Sequence, residues 1–230
     1  MMVNKTAIVF GATGLIGTYL VEELIQNMGY TAIKSFTRRK LDIEHIKLIE
    51  HVVDVEDVAS YADKLRGDDL FICLGTTRKK AGSIKRYEEL DRDMPVNIAE
   101  AALSRGVKKV AVVSSLGANE NSGSYYSRIK GEMEKGIEKL PFEKVLIARP
   151  SLLLGERKES RPMEKAAIVF YKIFSFLLIG KLKFYRAIHG RDVARAMIEL
   201  LVRNDEKTVF LSHELQEIAD MKRKDLNDRT

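Results

Sequence analysis

Thr6-Ala7-Ile8-Val9-Phe10-Gly11-Ala12-Thr13-Gly14-Leu15-Ile16-Gly17, TAIVFGATGLIG, runs from an apolar segment straight into glycines spaced G-x-x-G-x-x-G. An apolar run of strand length that stops at a glycine reads as a buried β-strand, and the helical periodicity from Leu15 to Asn27 reads as a helix after a tight turn. Glycines let backbone N–H groups and the positive end of a helix come close to a pyrophosphate. The spacing is one residue longer at its start than G-x-G-x-x-G. The same glycines would also serve a turn with no ligand, but the strand before, the helix after and the place at the start of the chain all favour phosphate binding.

Outward from this turn the pattern repeats. Residues 32–36, 48–53, 70–74, 110–114 and 145–148 are further apolar runs of strand length, mostly continuous rather than alternating, as in strands covered on both faces. Between them residues 55–65, 86–104 and 126–139 carry helical periodicity. The alternation predicts an α/β chain with a Rossmann-type, doubly wound parallel sheet and right-handed crossovers. After Pro150 the pattern loosens into a loop, an apolar helix over 166–180, a helix over 192–202, a short strand over 208–211 and a tail. Residues 1–230 read as a single domain, with 151–230 forming a small irregular lobe on the substrate side of the sheet.

Composition narrows the class. Lys plus Arg exceed Asp plus Glu by 39 to 33, but the charges are scattered, which excludes a dedicated nucleic-acid surface and leaves room for an anionic ligand. Cys73, the one cysteine, lies in the apolar run DDLFICLG. It has no partner for an internal disulfide, reads as a small core residue, and points to a reducing, cytoplasmic setting. No metal site is expected. The apolar segment AAIVFYKIFSFLLIG, Ala166 to Gly180, contains Lys172 and is too short for a span of roughly 20 residues. Membrane contact is therefore not expected; the segment suits either packing over the site or self-association as a homodimer.

The residue at the end of the second strand commonly reads the adenosine ribose, with an acid for NAD and an arginine for the extra phosphate of NADP. Here the position holds Thr37-Arg38-Arg39-Lys40, and the first acid is Asp42. A guanidinium fork pairs with a phosphate dianion that a carboxylate would repel, so NADP(H) is expected over NAD(H). Asp54, after the third strand, is placed either to accept from an adenine amino group or to cap the following helix.

The fifth strand, VAVVSSLGA, ends at Ser114 and Ser115, and the next helix opens near SYYSRIKGEMEK. Residues four apart share a helix face, so Tyr126 is in register with Lys130, while Tyr125 is matched with Ile129. An ammonium near a phenol stabilises the phenolate, and a phenol so tuned can exchange a proton with a carbonyl oxygen. A strand-end serine would hold that oxygen in line. A tyrosine and a lysine on an exposed helix face would share the spacing; the strand-end serines and the upstream glycine turn favour chemistry.

Together these residues resemble the short-chain dehydrogenase/reductase superfamily in its atypical, extended-like branch, through GATGLIG, the Ser/Tyr/Lys set, ARPSLLLG and HGRDVARAM. More narrowly, CLGTTRKKAG, ELDRD, SSLGA, YSRIKGEME and ERKESRP resemble the family of the oxidoreductase-type Tat-interacting protein and its bacterial relatives. The resemblance implies a turn over Gly11, Ala12, Thr13, Gly14, Leu15, Ile16 and Gly17 against the pyrophosphate, with Arg38 and Arg39 at the ribose phosphate. It implies Leu74, Gly75 and Thr76 lining the cofactor, and Pro150 and Ser151 bordering the nicotinamide. It makes Tyr126 and Lys130 the catalytic pair, with Lys130 also holding the nicotinamide ribose; Ser115 better matches the catalytic serine, with Ser114 beside it. The implied activity is hydride transfer between the nicotinamide and a carbonyl or alcohol of a small or medium apolar metabolite. CLGTT stands where better-characterised members have N-N-A-G, so no relay through that asparagine is expected; a cofactor-binding regulatory or scaffold protein is the alternative.

Overall fold

The computed structural model describes residues 4–155 and 186–227, with side chains to 224. Seven strands form one parallel sheet: β1 (Lys5–Phe10), β2 (Tyr30–Thr37), β3 (Leu48–Val52), β4 (Asp69–Ile72), β5 (Lys109–Val113), β6 (Lys144–Arg149) and β9 (Val209–Leu211), in the order β3-β2-β1-β4-β5-β6-β9. Two two-residue strands, β7 (Leu153–Leu154) and β8 (Ile188–His189), pair apart from it. The order reverses between β1 and β4, so the loops after these neighbouring strands leave in opposite directions and open a crevice at their carboxyl ends. This is the expected Rossmann-type sheet.

Alternation along β1 sends Ala7 and Val9 into one fully buried cluster and Ile8 and Phe10 into the other. The first face is covered by α1 (Leu15–Gln26) through Leu20, Val21 and Leu24, and by α6 (Gly190–Val202) through Val193, Met197 and Leu201. The second is covered by α4 (Met94–Ser104) through Ile98 and Ala102, and by α5 (Tyr125–Glu138) through Met133 and Ile137. Burying one such large aliphatic side chain is worth roughly 1.5–3 kcal/mol, so the two layers supply the main drive for folding.

Three expectations change. The helix expected over 55–65 is instead two short 3₁₀ turns, Val58–Ser60 and Ala62–Lys64. Val55, Tyr61 and Leu65 are all buried, and a six-residue separation puts Val55 and Tyr61 on different sides of an α-helix. The irregular path buries both, and the Tyr61 hydroxyl donates to the Val55 carbonyl at 2.6 Å. The helix expected over 86–104 is broken into α3 (Ile84–Glu88), a π-helical turn (Glu89–Asp93) and α4, after a short α2 (Arg78–Ala81). Pro95 has no N–H for the Asp91 carbonyl and its ring would crowd it, so the turn before it widens. The expected tail is helix α7, Ser212–Asn227. The apolar segment 166–180, and the ERKESRP run from residue 156 on, lie outside the described residues.

Candidate functional site

Because the strands run parallel, the segments that follow β1, β2, β3, β4, β5 and β6 all leave the sheet at the same edge. The turn after β1 begins at Gly11, in the left-handed region at φ +81°. A Cβ there would come within 2.5 Å of the Cys73 carbonyl oxygen after β4, and one on Gly17 would overlap the Gly11 carbonyl. These two glycines therefore let the turn pass between β4 and α1. Gly14 is different: its backbone is extended, a Cβ would meet the Gly11 oxygen only at 3.2 Å, and it starts α1 with no side-chain cap. The first-turn amides, with no acidic neighbour in that turn, remain open to an anion. Thr18 steadies the turn by donating from Oγ1 to the Ala12 carbonyl at 3.0 Å. Ala12 and Ile16 are buried beneath it, while Thr13 is exposed and Leu15 half-buried against Gly155 and Gly190.

Arg38, Arg39 and Lys40 follow β2 and are all exposed; Thr37 fixes the bend by donating to the Arg39 carbonyl at 2.7 Å. Asp54 is exposed after β3; it caps no helix, since the one expected there does not form, and its carboxylate instead accepts from the Glu56 amide two residues on at 3.1 Å. Cys73 is only partly accessible, and loss of water around the thiol pushes it up to about 12, as suits an inert side chain.

On the other side of the crevice, Ser114 and Ser115 follow β5 directly. Both hydroxyl oxygens are buried with no hydrogen-bond partner among the described residues. The following loop is pinned to α5: the Asn119 amide donates to the Ser127 carbonyl at 2.9 Å, and any side chain on Gly131 would strike the Glu120 amide. Tyr126, in the first turn of α5, is 47% exposed. Lys130, one turn on, is buried to 4% exposure, and its ammonium lies 3.9 Å from where a Cβ of Gly75 would sit. Leu74 and Thr76 flank that glycine, half-buried. On the far side Pro150 is buried and its carbonyl accepts from the Leu116 amide, while the Ser151 amide donates to the Ser212 hydroxyl at 2.6 Å.

Tyr125 donates to a Glu88 carboxylate oxygen at 2.9 Å and sits under the Arg128 guanidinium, 5.3 Å from its centre, so it packs rather than faces the crevice.

Sequence reasoning missed Asp91. It sits on the π-helical turn, 1% exposed, where one carboxylate oxygen accepts from the Thr76 amide at 2.7 Å and the other lies 3.1 Å from Lys130 Nζ. The second contact is an ion pair by distance but is not directed as a hydrogen bond. Tyr87 lies beside it; burial first, then the charge of Asp91 and the neighbouring Tyr126, push its phenol well above the ordinary range. The one signal for this turn was Pro95 inside a helical pattern, which marks a break but not which residue it buries.

Residues 11–161 match the model of a family described as NAD(P)H-binding. The chain belongs to this NAD(P)H-binding family. Protein HTATIP2 of Rattus norvegicus is 37% identical over 174 residues, covering 74% of this chain and 72% of its own length. The protein FMP52, mitochondrial, of Candida glabrata is 37% identical over 221 residues, covering 90% of this chain and 89% of its own. Among solved structures, the Bordetella bronchiseptica enzyme WbmH in complex with NAD+ shares the fold at a TM-score of 0.68 and 15% identity, covering 98% of this chain and 83% of that one. The resemblance to the Tat-interacting protein family is borne out, and with it the binding of a nicotinamide cofactor. The residues fit such a group: the uncapped helix start at Gly14 offers backbone amides that suit an anion, and the unpartnered Ser114 and Ser115 hydroxyls lie on the same edge.

The expected cytoplasmic setting is corrected by the fungal relative, which is named mitochondrial. A single unpaired cysteine marks a reducing compartment and does not say which. No helix among the described residues is long and apolar enough to cross a membrane.

Proposed function

We propose that the chain is an NADP(H)-dependent oxidoreductase that interconverts a carbonyl and an alcohol on a small or medium apolar metabolite. One observation carries the reading: a buried, unpartnered Ser115 hydroxyl and the buried Lys130 ammonium lie on the sheet edge that holds the glycine turn. A bound nicotinamide cofactor would supply or remove the hydride. Ser115 would hold the substrate oxygen, Tyr126 would exchange the proton with it, and Lys130 would stabilise the phenolate form and hold the nicotinamide ribose. The half-exposed Tyr126 hydroxyl makes no hydrogen bond among the described residues, which leaves it free for that oxygen. Arg38 and Arg39, exposed at the end of β2 with no acid beside them in sequence until Asp42, support the choice of NADP(H).

The test is oxidation of NADPH against a panel of carbonyl compounds, wild type beside Tyr126→Phe. Loss of a general acid typically costs 10²–10⁴-fold, so the variant should turn over at about a hundredth of the rate or less while binding NADPH normally. Equal rates would remove Tyr126 from the chemistry. A second reading, a protein that binds NADP(H) and changes partners without turnover, is favoured by the Asp91 carboxylate facing Lys130, which already offsets the charge meant for a phenolate. No turnover on any carbonyl, with tight NADPH binding, would select it.

A further inference from the structure

We propose that Asp91 is a positioning residue that acts through Lys130, holding its ammonium over the loop after β4 so that the ammonium's donors face the ribose of the bound cofactor. The inference rests on the reading of Lys130 given above and extends it to a residue on a different element.

The geometry argues against a purely structural pair. Asp91 and the Lys130 side chain are 1% and 5% exposed, so both charges have been taken out of water. Such a pair rarely stabilises more than well-packed apolar side chains in its place. Nor is it needed to tether the π-helical turn to α5, because Arg92 on the same turn already reaches Glu132 at 3.2 Å nearer the surface. The ion pair is close at 3.1 Å, yet the Asp91 oxygen in it accepts no hydrogen bond, so the ammonium's three donors are left for another acceptor. Among the described residues no hydrogen bond uses them, and Gly75, whose Cβ would lie 3.9 Å from the ammonium, offers no side chain to fill the space.

Asp91 also ties this arrangement to the loop itself. Its other oxygen takes the Thr76 amide at 2.7 Å, one residue from Gly75, so a single carboxylate fixes both the lysine and the loop the lysine overlooks. The neighbouring Tyr87 stays a neutral phenol, because burial and Asp91 oppose its ionisation, and so brings no rival anion to Lys130. The widened turn is what makes this possible. In a regular helix running through Pro95, residue 91 would not be held under the same constraint.

The test is NADPH affinity, by fluorescence titration of the purified full chain, in a double-mutant cycle of Asp91→Asn and Lys130→Met. Asparagine keeps an oxygen for the Thr76 amide and removes only the charge. Each single variant should weaken NADPH about tenfold, ~1.4 kcal/mol, the scale of a hydrogen bond to a charged group. The double variant should be no weaker than Lys130→Met alone. Asp91→Asn binding like wild type, or losses that multiply to about a hundredfold, would overturn the proposal. If circular dichroism shows Asp91→Asn unfolded, Asp91→Ala, which likewise removes the charge, is run through the same cycle under the same criteria. Binding needs no turnover, so a non-multiplying cycle in a chain inactive on every carbonyl would sink the oxidoreductase reading and leave this one standing.

Discussion

The two sides of the crevice are built on different principles. The β1–α1 turn is shaped by what is missing: Gly11 and Gly17 omit side chains where the Cys73 and Gly11 carbonyls press in, and the binding surface is backbone. The α5 side is shaped by charges drawn out of water, with Lys130 facing the buried Asp91 and, one helical turn on, the buried Glu134 bonded to a partly exposed Arg149 at 2.9 Å. A backbone cradle tolerates no added atom but carries no net charge, whereas a buried charge pair tolerates changes of shape and fails when one partner is lost.

That contrast can be broken most directly on the charged side. Lys130→Met should lower the unfolding free energy by about 3–5 kcal/mol, because it strands the Asp91 carboxylate in the interior. Adding Asp91→Asn should restore much of that loss in urea melts. A double variant as unstable as the single would mean that the pair is not what holds this turn.

On the backbone side, Gly17→Ala should cost about 1–3 kcal/mol or more through overpacking against the Gly11 carbonyl. Gly14→Ala, in extended backbone and with space for all but a few tenths of an ångström, should cost far less stability while weakening NADPH. Thermal melts paired with titrations separate the two, and equal melting losses would contradict the division of labour among the glycines.

The exposed turn after β2 should show neither behaviour. Arg38→Asp should leave the melting temperature within the roughly 0.5 kcal/mol scatter of surface changes and lower the NADPH-to-NADH affinity ratio. An unchanged ratio would detach Arg38 from cofactor choice.

The smallest effect lies at the sheet edge on the same side. His51 is stacked on Phe36 at 4.7 Å, and desolvation, then Lys64 and Lys34, hold its pKa below the ordinary 6.5. A group that binds its proton less readily when folded favours the unfolded chain as pH falls. Its contribution is therefore intact above about 6.5 and is lost below it, down to the depressed folded value. Melting temperature should fall from pH 7 to 5, and His51→Gln should flatten part of that slope.

What could be read without the structure follows this division. The glycine turn, the alternation of strands with helices and the register of Tyr126 with Lys130 are local, fixed by a few neighbouring residues and the helical or extended period, and each was legible. The stretch over 55–65 was not, because Val55 and Tyr61 are buried together by a path that obeys the core rather than a helix. Nor was Asp91: an acid in ELDRD, on a stretch with helical period, looks like any solvated side chain.

The sequence by itself determined the alternation of strands and helices, the place of the glycine turn and the helix face that carries Tyr126 and Lys130, because periodicity and glycine spacing act within a single element. Only the tertiary structure decided that Asp91 faces Lys130 across elements 39 residues apart in number, 130 against 91. The position depends on how far one proline widens a turn and on which side of that turn the core then closes, and neither is written in the neighbouring residues.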